Sequence, residues 1–133
     1  MGACRQPSRF APLYDAAWPI KRKIETIATR MYGAAGVSYD AQAERDIERA
    51  TRWGFDRWPI CMAKTPLSLS HDTALRGRPS GFTVPIREIR ILAGAGFLTA
   101  VCSGIELLPG LPTHPAGEHI DVNLETGEIV GLT

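Results

Sequence analysis

The sequence predicts an α+β domain: two N-terminal helices packed on a small mixed β-sheet, one layer of each. Three observations carry this. Apolar residues recur at helical spacing only before Gly54. From Ile60 onward the apolar runs are short or alternate with polar residues, as strands do. The chain has 133 residues, 44% hydrophobic and 22% charged, which is the size and make-up of one domain with one core.

Residues 1–12, with Pro7 and Pro12, read as a flexible lead-in, leaving 13–133 as the domain. Pro19 suits the first position of a helix, where its missing N–H costs nothing. Ile20, Ile24, Ile27, Ala28, Met31 and Tyr32 follow at helical spacing, and Gly33 is a C-terminal stop. The first helix is expected at about 19–32. Asp40 is an N-cap for a second helix, with Ala43, Ile47, Ala50 and Trp53 as its stripe and Gly54 as its end. Residues 33–39 read as a short connection that lays both helices together or on one sheet face.

Ile60 to Ala63 reads as a buried strand. Residues 64–81 read as loop, with a helical turn near Thr73–Leu75. Phe82, Val84 and Ile86 alternate with polar residues, and Ile89 to Leu92 continues that strand. Pro85 places it at an edge or a bulge. Gly94-Ala95-Gly96 is a break before a strand at Phe97 to Cys102. Pro109-Gly110-Leu111-Pro112 is a rigid loop segment. Short strands are expected at Ile120–Val122 and Glu128–Leu132, joined by a turn at Thr126-Gly127.

Charge excludes some functions. Fifteen Lys and Arg against fourteen Asp and Glu give a net charge of +1, a poor match for a surface that neutralises nucleic-acid phosphates or anionic lipid. No apolar run reaches the ~18 residues of a membrane span. The first nine residues lack the apolar stretch of a secretory signal, and Gln6 stands where a myristoylation site needs Ser or Thr. Cys4, Cys61 and Cys102 are odd in number and widely spaced, with no metal pattern and no disulfide framework. A cytoplasmic protein with reduced thiols is expected.

Each chemically suggestive residue has a bland competitor. Gly94-Ala95-Gly96 invites a phosphate-loop reading. It lacks the third glycine of a dinucleotide fingerprint and the Gly-Lys-Ser/Thr of a P-loop, so a tight turn is the better account. His71, His114 and His119 complete no zinc spacing and read as surface histidines; no metal site is expected. Lys64 and Thr65 follow a strand, where a lysine can reach a ligand, although most such lysines are solvated. Ser68, Ser70, His71 and Asp72 have the residue types of a hydrolase triad without its spacing or a nucleophile elbow. Arg76, Arg78, Arg87 and Arg90 could hold an anion, or Glu88 could neutralise the last two. Trp18, Trp53 and Trp58 are expected to anchor the core. No catalytic residue emerges from the residues alone.

Several segments in order resemble one family. They are Leu-Tyr-Asp at 13–15, Pro-Ile-Lys-Arg-Lys-Ile-Glu-Thr-Ile-Ala at 19–28, Tyr-Gly-Ala-Ala-Gly-Val at 32–37 and Pro-Ile-Cys-Met-Ala-Lys-Thr at 59–65. They continue with Gly-Phe-Thr-Val-Pro-Ile-Arg-Glu-Ile-Arg at 81–90, Ala-Gly-Ala-Gly-Phe at 93–97, Pro-Gly-Leu-Pro at 109–112 and Ile-Asp-Val at 120–122. Their order and spacing over about residues 10–132 resemble the C-terminal region of formate–tetrahydrofolate ligase, with similarity expected to fade before about Phe10.

The resemblance implies an ATP-dependent enzyme that joins formate to tetrahydrofolate through formyl phosphate, giving 10-formyltetrahydrofolate. ATP with magnesium and tetrahydrofolate are then the family's substrates, none held tightly by this chain alone. The family's phosphate loop lies in a longer N-terminal region, so this chain is expected to be a C-terminal domain or fragment, inactive by itself. Its partner is then the missing N-terminal ligase region or a second copy. The family's Thr-Met-Pro-Gly-Leu-Pro segment resembles an adenine-side wall, which places a nucleotide contact at Leu107, Leu108 and Pro109. Leu107 stands where the family has threonine, so a hydroxyl is lost. His71 in a loop that is often acidic, and Thr133 where the family commonly ends in Phe, also depart from the pattern. The competing reading is a non-enzymatic module that binds a nucleotide or a partner.

Overall fold

A computed structural model describes residues 11–105, 107 and 113–131. The element order is α1 (Ile20–Arg30), β1 (Gly36–Tyr39), α2 (Ala41–Arg52), β2 (Ile60–Ala63), β3 (Thr83–Leu92), β4 (Phe97–Cys102), a short 3-10 turn at Ala116–Glu118, β5 (Asp121–Val122) and β6 (Ile129–Val130). The α+β arrangement and both helices are as expected. Pro19 is itself the N-cap of α1, one position earlier than the sequence places it. Asp40 occupies the N-cap of α2 without a side-chain cap bond; its carbonyl accepts the Glu44 N–H at 3.0 Å.

The main sheet runs β1-β3-β4-β2. β1 pairs with β3 and β2 with β4 in parallel, while β3 and β4 form an antiparallel hairpin. The sheet is therefore mixed. β1 corrects the reading of 33–39 as a plain connection. Four residues with no apolar run of their own became a strand because β3 offered a free edge, with Val37 opposite Val84.

Pro85 sits in β3, a central strand, so the edge reading fails. The bulge reading holds: the β3–β4 register shifts between Ile86 and Glu88. Gly94-Ala95-Gly96 closes the hairpin. The Ala95 and Gly96 N–H groups donate to the Leu92 carbonyl at 3.0 and 2.9 Å, with Gly96 at φ 74°. That left-handed conformation requires glycine there.

Both helices pack on one sheet face. Ile20, Ile24 and Ala28 of α1, with Ala43 and Ala50 of α2, meet Val84, Ile86, Ile89, Leu98, Ala100 and Cys102 in one core cluster. Of the three tryptophans only Trp58 packs against this core. Trp53 is exposed, and Trp18 lies under the Arg22 guanidinium at 3.7 Å from the ring centroid. Both sit at helix ends, where a large side chain can stay outside the sheet interface.

Lys23 is fully buried in α1 and lashes the helix to the approach of β2. Its Nζ donates to the carbonyls of Asp56 at 2.6 Å and Trp58 at 3.0 Å. The Ile60 N–H, at the start of β2, donates to the Tyr14 hydroxyl at 2.9 Å. β5 and β6 form a separate antiparallel pair, shorter than the strands expected there. Its Val122, Ile129 and Val130 are all exposed.

Candidate functional site

The sheet face opposite the helices carries a cleft of about 390 Å³. Strand register builds it. Cys61 of β2 and Arg90 of β3 both lie opposite Thr99 of β4, so the three form one row. Leu92 lies opposite Phe97 in the next. Ala63 and Leu107 complete the lining. Side chains two apart on a strand share a face, so these residues oppose the Leu98, Ala100 and Cys102 set that faces the helices.

The lining is mostly apolar with a few polar groups, the usual make-up of a binding cleft. Thr99 is only 4% exposed, and its Oγ1 has no hydrogen-bond partner among the described residues. The Arg90 guanidinium donates to Glu88 Oε1 through Nε at 3.1 Å and through a terminal nitrogen at 2.9 Å. Cys61 is an exposed free thiol. The described lining holds no carboxylate and no imidazole; its titratable groups are the Cys61 thiol and the Arg90 guanidinium.

Leu107 of the expected nucleotide contact therefore stands on this cleft, half-buried. Leu108 and Pro109 lie outside the described residues.

The other candidate residues serve the fold. The Lys64 Nζ donates to the carbonyls of Thr65, at 2.8 Å, and Ser68, and lies 5.2 Å from the Tyr32 ring centroid. Burial lowers its pKa, and nearby Cys102 pulls the other way. With its protons committed to its own loop, Lys64 is a brace. Thr65 is buried, and its Oγ1 accepts the Leu67 N–H at 3.2 Å.

The serine-rich loop makes no triad. Ser70 Oγ donates to the Asp72 carbonyl at 2.8 Å and accepts the Asp72 N–H at 3.1 Å. Ser68 Oγ bonds the Leu75 carbonyl. The Asp72 carboxylate accepts the Ala74 N–H at 2.8 Å. The His71 ring centroid lies 6.4 Å from that of Phe82, and its Nδ1 has no partner among the described residues. Arg87 and Arg90 both pair with Glu88, at 3.3 and 2.9 Å, because the bulge brings both guanidinium groups to one carboxylate.

Sequence reasoning passed over Asp46 and the Cys61–Thr99–Arg90 row. Asp46 sits on the core side of α2, and a carboxylate in the apolar stripe was its available signal. The row depends on pairing β2 with β4, which no local pattern specifies.

The model of the formate–tetrahydrofolate ligase family matches residues 1–133. The chain is 50% identical over 133 residues to a formate–tetrahydrofolate ligase of Roseiflexus sp. (strain RS-1), covering 100% of this chain and 23% of that protein. It is 50% identical over 131 residues to one from Saccharopolyspora erythraea, covering 98% of this chain and 23% of the relative. It is 48% identical over 134 residues to the protein named C-1-tetrahydrofolate synthase, cytoplasmic, of Schizosaccharomyces pombe, covering 14% of that protein. The chain thus spans about a quarter of the length of these bacterial relatives. The family match starts at residue 1, so the similarity does not fade before Phe10 as the sequence reading expects.

Proposed function

Because the chain belongs to the formate–tetrahydrofolate ligase family, we propose that it is one structural part of an ATP-dependent ligase of one-carbon metabolism. The family match across the whole chain carries this reading. In the proposed reaction the γ-phosphoryl group of ATP passes to a formate oxygen, giving formyl phosphate and ADP. An amine nitrogen of tetrahydrofolate then attacks the formyl carbon, the carbon–oxygen bond to phosphate breaks, and the nitrogen's proton leaves with the phosphate, giving 10-formyltetrahydrofolate.

Phosphoryl transfer needs backbone donors, a lysine and magnesium around the developing charge. The sequence has no Gly-Lys-Ser/Thr phosphate loop, and Lys64 spends its donors on its own loop. The chain alone is therefore inactive in this proposal. Its contribution is a wall for the nucleotide base at Leu107, Leu108 and Pro109, beside the apolar cleft that Leu107 lines. ATP with magnesium and tetrahydrofolate are substrates of the assembled enzyme. The proposed compartment is the cytoplasm, the word in the fission-yeast relative's name. Among the described residues no helix is long and apolar enough to cross a membrane.

The test compares the purified chain with a chimera, the Roseiflexus ligase whose matching quarter is replaced by these residues. With ATP, magnesium, formate and tetrahydrofolate, the chain alone should form no 10-formyltetrahydrofolate and the chimera should form it. Turnover by the chain alone, or a folded but inactive chimera, overturns the reading.

A further inference from the structure

We infer that the sheet face opposite the helices is an interaction surface, and that its occupant is the remaining part of the ligase polypeptide. The inference rests on the family reading above and adds to it which face of this segment meets the rest.

The sheet itself gives the first reason. A sheet face that carries a contiguous apolar cleft marks a site of interaction. Here α1 and α2 pack into a single core on one face. On the other, Leu92 is 38% exposed and Cys61 is exposed, around a cleft that Phe97 and Leu107 continue.

Thr99 is the second reason. It lies in the middle of that face, nearly sealed from water, with no partner for its hydroxyl among the described residues. An orphaned buried hydroxyl is rare in a finished structure. Beside it Arg90 stays 46% exposed, with Glu88 its only ion partner among the described residues. A matching surface would bring apolar side chains to Leu92 and Phe97, a hydrogen-bonding group to Thr99, and a carbonyl or carboxylate to Arg90.

Among possible occupants, the rest of the ligase has the advantage of attachment. The bacterial relatives carry this quarter joined to the other three in one polypeptide, and tethering gives an effective concentration that a second copy lacks.

Alkylation of Cys61 by iodoacetamide, followed by peptide mass mapping, reads the surface directly. In the isolated chain Cys61 should react freely at every protein concentration. In the chimera it should react at least tenfold more slowly. Leu92→Glu should restore most of that reactivity in the chimera while leaving the melting temperature of the isolated chain unchanged. Glu25→Lys, on the exposed side of α1, should change neither. Equal reactivity in chain and chimera overturns the inference. So does protection in the isolated chain that disappears on dilution, which would make a second copy the occupant. An active chimera with Cys61 open removes the surface and keeps the ligase reading. An inactive chimera with Cys61 protected does the reverse.

Discussion

The Asp46 carboxylate of α2 accepts the backbone N–H of Ile89 at 3.1 Å. That N–H lies just beyond the bulge, where the β3–β4 register shifts between Ile86 and Glu88. The other carboxylate oxygen accepts from Gln42 Nε2 at 2.8 Å and from Arg49 at 2.7 Å. One buried side chain thus ties the helix layer to the bulge and satisfies a backbone donor there. The bulge in turn allows Arg87 and Arg90 to share Glu88.

Asp46→Ala should therefore be strongly destabilising. Asp46 is 3% exposed, and its loss leaves the buried Ile89 N–H without its acceptor, about 1–3 kcal/mol, while Arg49, 42% exposed, is hydrated instead. Asp46→Asn should cost less, because an amide oxygen still serves Ile89. Urea unfolding of the three proteins gives the order. Equal stability of wild type and Asp46→Ala would mean the bulge holds itself.

Cys102 sets an alkaline limit. Burial pushes its thiol from 9.0 up to about 11, with Lys64 acting in the opposite direction. In the unfolded chain the thiol ionises first, so between these pH values the unfolded state binds fewer protons than the folded one. Stability is then fully present below pH 9 and falls as pH rises toward 11, by about 2–3 kcal/mol in total. Cys102→Ala loses packing at all pH values but removes this particular slope. Denaturation midpoints at pH 8 and pH 10.5 for both proteins measure the difference, and identical slopes would show that Cys102 ionises freely in the fold.

Ser70 holds the loop between β2 and β3 rather than attacking a substrate. Besides its two contacts to Asp72, its Oγ lies 3.1 Å from Ser68 Oγ and 3.3 Å from the Leu75 carbonyl. Ser70→Ala should leave the Asp72 N–H and carbonyl without this partner, while Ser68 keeps the Leu75 carbonyl, at a cost of about 1–3 kcal/mol, confined to the loop. Amide exchange over residues 66–77 should accelerate while exchange in β4 stays as it was. Unchanged loop exchange would remove Ser70 from this role.

Much of the fold was legible because the core writes itself into the sequence. Ile20, Ile24 and Ala28 mark the inner face of α1. Val84 and Ile86 alternate on β3, and Gly96 announces the hairpin. β1 was not legible, since Gly36–Tyr39 becomes a strand only through its pairing with β3. Pro85 pointed to the bulge but not to the strand's central position, which depends on β1 lying at its other side. The cleft was hidden for the same reason: Cys61, Thr99 and Arg90 are distant in sequence, and only the strand order makes them neighbours. Leu107 came from family resemblance, and no pattern in the chain itself marks it.

Leu107 also gives the sharpest test of the proposed nucleotide wall. The resemblance implies a threonine at this position, with a hydroxyl that leucine lacks, while both residues present an apolar surface. If the base of ATP rests here, Leu107→Thr adds one hydrogen bond of about 0.5–1.5 kcal/mol. In the active chimera the KM for ATP should then fall by about 2- to 10-fold, with kcat little changed, because the base is remote from the transferred phosphoryl group and its contact is the same before and during transfer. The KM for formate should not move. Leu107→Asp should do the opposite, since an uncompensated charge on an apolar wall is costly to desolvate. An ATP KM indifferent to both substitutions would place the base elsewhere and leave Leu107 as part of the covered face alone.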